Sequence, residues 1–382
     1  MNRRTDTMRR AGTLCVAVLL AASAWGAGER GTTTPGDRWP MFRGDAGLTG
    51  VSAAELSDDM KPLWVFEVPE GIESAVAIHD GTVYLGALDG KLHALDLASG
   101  ESKWAYAAGA EIRSSPSVAG GIVFFGDGDG VFHAVDAGTG KSRWTFAAEA
   151  EIVSSANVAG DRVVFGSHDQ YLYCLSVSDG SLLWKVETDG YVFGAPALVD
   201  GNAVSVGCDG YLRAISLKDG TEAKKIEIGS YVGASPAVLD GRVYFGTFDN
   251  QVLAVDLGSG KQLWSYENPD RQFPYLSSAA VQGDRVIVGG RDKMIHAIDA
   301  GSGEAVWTHA TRGKVDGSPV IAGRRVYVAS ASGEILGLDL ATGEPAWSFD
   351  AGASILASPA VADGRLVIGT VEGRLFSFGK AE

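Results

Sequence analysis

Carboxylates at alternate positions suit a hard cation such as calcium, and this chain sets them in glycine-rich turns, FGDGDGVF at 125–132 and ALDGKL at 87–92. Neither turn has the closing Glu that an EF-hand loop requires at its twelfth position. Asp-Gly between two runs of alternating apolar residues is a hairpin signal, and these stretches read as hairpins. His93, His133 and His296 recur at one position of a repeat and read as repeat divergence, not as a metal set. Cys174 and Cys208 stand where other copies hold Ala, Ser or Thr. They read as two small packed thiols, with a disulfide between neighbouring units as the alternative. No spacing singles out a nucleophile among the many serines, so no Ser-His-Asp triad is assigned. The expectation is no catalytic residue, no metal and no cofactor.

What positions these residues is a period. AVDAGTGKSRW at 134–144 returns as ALDLASGESKW at 94–104, AVDLGSGKQLW at 254–264, AIDAGSGEAVW at 297–307 and GLDLATGEPAW at 337–347. Weaker copies stand at 174–184, CLSVSDGSLLW, and at 214–224, AISLKDGTEAK. The closing position runs Trp64, Trp104, Trp144, Trp184, Lys224, Trp264, Trp307 and Trp347, at intervals of 40 except for one of 43. Within each unit apolar residues alternate in short runs bounded by Gly and Asp, so strands are indicated and helices are not. The second unit divides into strands at 114–118, 122–127, 131–136 and 141–147.

Four antiparallel strands per forty residues make a β-propeller blade. Eight Trp-type strands begin at Pro62, and eight sets of the other three end at Phe378, so the first strand is expected to complete the last blade and close an eight-bladed ring. In the repeated motif, Ser-Gly or Thr-Gly makes the turn between third and fourth strands, and the Asp accepts hydrogen bonds from that turn. The recurring Trp64, Trp104, Trp144, Trp184, Trp264, Trp307 and Trp347 are expected to dock neighbouring blades.

The motif A-x-D-x-x-[TS]-G-x-x-x-W resembles the tryptophan-docking repeat of PQQ-like eight-bladed propellers, a superfamily holding quinoprotein dehydrogenases and the BamB-like outer-membrane assembly factors. The likeness covers 62–378, and WPMFRG at 39–44 resembles a segment preceding the first blade in secreted members. The enzymatic branch implies a Cys-Cys pair, a Glu, Asn and Asp calcium cluster, and long inserted loops. This sequence has none of the first and one three-residue break in its period, so the resemblance favours the non-catalytic branch.

Departures from the repeat gather in blades three to six: Ser176 and Ser216 replace Asp, Lys224 replaces Trp, and the insertion falls around PDRQFP at 269–274. The loops there carry Tyr191, Phe193, Tyr231, Arg271, Phe273, Tyr275 and Arg291, a composition suited to a protein-binding face. Folding inward to plug the channel mouth is the competing role for these aromatics.

Residues 1–26 read as a signal peptide: Arg3, Arg4, Arg9 and Arg10, then the apolar AGTLCVAVLLAASA, too short to span a bilayer. Residues 27–61 follow as a linker and pre-blade segment, and 62–382 as the propeller. A formal charge of −15 argues against a nucleic-acid footprint. The expectation is a periplasmic or secreted, monomeric, non-catalytic scaffold with no transmembrane segment. Its partner would be a protein, which the resemblance implies to be a component of outer-membrane protein assembly. The alternative is a quinone- or sugar-binding propeller that uses the channel mouth.

Overall fold

Alternating side chains fold each unit into four antiparallel strands. In blade two these are Ser117–Ala119, Ile122–Gly126, Val131–Asp136 and Ser142–Ala147, running outward from the axis. The computed structural model describes Gly36 and residues 38–380, so the signal peptide expected at 1–26 lies outside the described residues. Eight such sheets follow in chain order. The ring closes where Met60–Glu67 pairs antiparallel with Arg374–Lys380, Trp64 opposite Ser377. No described helix is long and apolar enough to cross a membrane.

Each motif tryptophan reaches the next blade. Trp104 Nε1 donates to Ala137 O, 3.2 Å away, and Trp64, Trp144, Trp184, Trp264 and Trp307 donate to the matching carbonyls of Leu97, Val177, Leu217, Ala300 and Leu340. Trp347 closes the circle on Met60 O. The indole lies against the glycine of the next turn: a Cβ on Gly140 would stand 2.7 Å from the Trp104 ring, at a φ of +69°. The motif Asp organises that turn, Asp136 accepting from Thr139 N and Thr139 Oγ1. Those bonds, together with Arg143, hold its carboxyl down at about 2. Where Ser176 and Ser216 replace it, Asp179 and Asp219 accept from Ser181 N and Thr221 N three residues further on. Lys224, in the one site without Trp, donates to Gly258 O.

A second set of wedges seals the blades at the other end. Ile72, Ile112, Ile152, Val192, Val232, Tyr275, Val315 and Ile355 occupy one repeat position and are all essentially unexposed. In six blades glycine ends the second strand, where the wedge needs its space; a Cβ on Gly126 would lie 2.2 Å from Ile152.

The segment expected as a linker before the blades is a belt inside the ring. Innermost strands leave backbone N–H groups facing the axis, and these must find acceptors. Ile78 N donates to Trp39 O, Val118 N to Pro40 O, Leu198 N to Ala46 O, Val238 N to Gly47 O, Val281 N to Thr49 O and Ile321 N to Gly50 O, all at 2.7–2.9 Å. Blade three joins through Asn157 Nδ2 to Ala46 O, and blade eight through Ser52 Oγ to Val361 O. Val51–Ser52 adds a parallel strand to blade seven. Arg43, buried at the heart of the belt, donates Nη2 to Ala279 O, and burial lowers its pKa to about 9. Gly50, at φ +71°, is required there: a Cβ would stand 1.9 Å from the Arg43 guanidinium.

Candidate protein-binding face

One face of the ring, here the front, carries the turns between second and third strands and the connections that enter each blade. Its frame is uniform. In all eight blades the residue before the wedge offers its carbonyl to the turn of its own blade, as in Gly128 N to Glu111 O, Cys208 N to Tyr191 O and Phe248 N to Tyr231 O. Of these residues Tyr191 and Tyr231 are exposed, while the residue after the wedge faces the channel.

The structure brings some of the expected face residues together and separates others. Tyr191 (49% exposed), Tyr231 (63%), Phe248 (40%) and Phe273 (49%) are the exposed aromatic side chains among the described residues, and all lie on front loops of blades four to six. Tyr191 stacks on His168 at 5.1 Å, and Phe193 meets the same imidazole edge-on at 4.4 Å. His168 is anchored in turn by Glu151, 2.6 Å from Nδ1. Phe193 is half-buried and points to the channel mouth. Arg271 is exposed and is steadied by an Nη1 bond to Asp292 O.

Two expected face residues are placed differently. Tyr275 is 1% exposed, because it is the wedge of its blade, packed among Tyr266, His296 and Val288. Burial pushes its phenol up, and it offers no contact surface. Arg291 is half-buried and committed to Asp316 of the next blade by a two-point contact at 2.8 and 3.1 Å. Burial alone would raise the Asp316 carboxyl, but the bonds from Arg291 and Lys314 outweigh it and hold the group below its usual value.

The channel mouth is a shallow cavity of about 180 Å³ whose floor is Phe42 of the belt. Serines ring it. Ala75 N donates to Ser115 Oγ, Ser115 N to Ser155 Oγ, Ala195 N to Ser235 Oγ, and the chain continues through Ser278, Ser318 and Ser358. The channel is thus filled by the belt, and of the loop aromatics Phe193 alone lines its mouth.

The repeat histidines are buried polar locks. His93 lies 3.1 Å from Asp89, His133 2.9 Å from Asp127 and His296 3.0 Å from Asp292. Tyr106 and Tyr266 reach His133 and His296 from the preceding blade, at 3.1 and 3.0 Å. Asp four residues before His was the available signal for His93 and His296. No group of three or more metal-ligating side chains is found among the described residues. Cys174 and Cys208 are both free thiols, so the alternative disulfide is not formed.

Blade motif, ring closure and tryptophan girdle together define a PQQ-like eight-bladed propeller. The family model described as outer membrane protein assembly factor BamB matches residues 51–169, 149–225 and 291–381, and the chain belongs to that family. A second model, the β-propeller domain of glucose/ethanol/alcohol dehydrogenase, matches residues 212–318. No curated protein matches by sequence. Among solved structures, BamB from Moraxella catarrhalis is 19% identical with a TM-score of 0.73, over 84% of this chain and all of that one. The quinohemoprotein alcohol dehydrogenase of Comamonas testosteroni is 13% identical with a TM-score of 0.77, over 91% and 81%. A europium-containing methanol dehydrogenase is 13% identical with a TM-score of 0.75, over 91% and 98%. At these identities the likeness is one of fold.

Proposed function

We propose that this chain is a non-catalytic, monomeric scaffold of the periplasm or extracellular space that binds a protein through the front face of blades four to six. The observation that carries this is the segregation of the exposed aromatic side chains, among the described residues, onto one sector of one face. Tyr191, Tyr231 and Phe248 stand on the backbone frame that every blade shares, so the fold does not call for aromatics there. Exposed Tyr and Phe with a steadied Arg have the make-up of binding hot spots. Membership of the BamB family supports a client or partner in outer-membrane protein assembly. A small ring-bearing ligand at the channel mouth is the lesser reading, since about 180 Å³ above Phe42 falls below the roughly 300–1,000 Å³ of common small-molecule sites.

The test is photo-crosslinking in cells from position 231, with exposed position 141 on the opposite face as control, followed by mass spectrometry. A protein trapped from 231 and not from 141 supports the scaffold. Adducts from neither position, or equally from both, refute a specific face.

A further inference from the structure

In three of the third-to-fourth-strand turns, one carbonyl is shared by two donors of the preceding blade. Besides the tryptophan, it accepts from Tyr84 Oη at Ala137 (3.2 Å), from Arg162 Nε at Leu217 (2.7 Å) and from Arg242 Nη1 at Ala300 (3.4 Å). Blade seven carries both donor types at the matching positions, Arg325 and Tyr327. Blade eight, however, takes its third strand from Arg374–Lys380 and its outer strand from Met60–Glu67, so no turn joins them. There Met60 O takes over as the acceptor for Trp347, and beside it lies a cavity of about 420 Å³ lined by Glu55, Leu56, Asp58, Arg324, Arg325 and Tyr327. Arg325 is only 7% exposed; it pairs with Asp58 at 2.6 Å and bonds the Tyr327 phenol, and its Nη1 has no hydrogen-bond partner among the described residues.

We propose that this seam cavity binds a polypeptide turn of a second protein, seated as the missing hairpin tip would be, with a main-chain carbonyl accepting from Arg325. A buried guanidinium nitrogen without an acceptor is costly, so the place is built for one. In blades three and five the same arginine meets a neutral carbonyl of a turn. A free anion suits the cavity less, because Glu55 and Asp58 balance the two guanidiniums of Arg324 and Arg325. The site lies on the opposite face from the aromatic sector and does not depend on it.

The probe is a backbone-cyclised, fluorescent peptide carrying VDAGTGKSR, residues 135–143 of this chain, titrated with the full-length protein and followed by anisotropy. Saturable binding below about 1 mM is expected, weakened about tenfold by Arg325→Met. As a check that leaves the protein unaltered, the peptide with its Ala137 carbonyl removed as a reduced amide should also bind about tenfold more weakly. No saturation up to about 1 mM, or a reduced peptide that binds as tightly as its parent, overturns the site.

Discussion

Blades four to six and the rest of the ring share one front-face frame but present different chemistry on it. The position before the wedge reads Gly71, Glu111 and Glu151 on one side of the ring, Tyr191 and Tyr231 in the aromatic sector, then Pro274, Lys314 and Ser354. The carbonyl of each is bonded to its own blade in the same way, whichever side chain it carries. One residue further on, the wedge is always apolar or aromatic and always buried. The difference teaches where to look for function in a repeat: at positions whose backbone is used and whose side chain is not.

Tyr231 and Tyr275 are the sharpest pair for breaking this distinction, since one is free and the other is a wedge. Tyr275→Ala should cost about 3–5 kcal/mol of stability by leaving a cavity between blades five and six. Tyr231→Ala should stay within about 0.5 kcal/mol, yet lose the crosslinked or co-purified partner. Urea melts of both variants, paired with partner capture, decide it. Equal destabilisation would mean that Tyr231 also serves the fold and would remove its claim to be a contact residue.

The tryptophan girdle offers a smaller contrast of the same kind. Trp184 and Trp264 flank Lys224, which keeps the hydrogen bond to the next blade but not the ring over the turn. Lys224→Trp should therefore restore the docking pattern and raise stability by about 1 kcal/mol, read as a higher melting temperature. An unchanged or lower value would show that blades four and five have repacked around the lysine.

Fold and closure were legible because the repeat states them many times: alternation gives the strands, Trp spacing the blades, and the unmatched first and last strands the seam. The site was legible only in part. Tyr275 aligns with Ile112 once the three-residue insertion is placed before it, so its burial was readable from the period, but its aromatic character suggested surface. Arg291 gave no local sign of its partner, because Asp316 lies 25 residues on and becomes a neighbour only through blade packing. The belt was hidden for the opposite reason. Residues 38–54 do not repeat, and nothing in WPMFRGDAGLTG, 39–50, announces that its carbonyls will serve six different blades.

The smallest effect expected is the pH response of the rim. Asp316 has a folded pKa below its unfolded one, so it binds more protons when unfolded, and its contribution to stability is present above the unfolded value of about 3.9. That contribution is lost as the pH falls through the lower folded value. Arg291→Gln removes one of the two cations responsible and should flatten the acid side of the stability profile below about pH 4, with little change at pH 7 beyond the lost pair. Lys314, 2.7 Å from the same carboxylate, limits the size of the change. Because Arg291 is tied to Asp316, the same variant should leave partner capture from position 231 intact. Loss of capture with an unchanged pH profile would extend the contact surface to the charged rim and redraw its border with the aromatic sector.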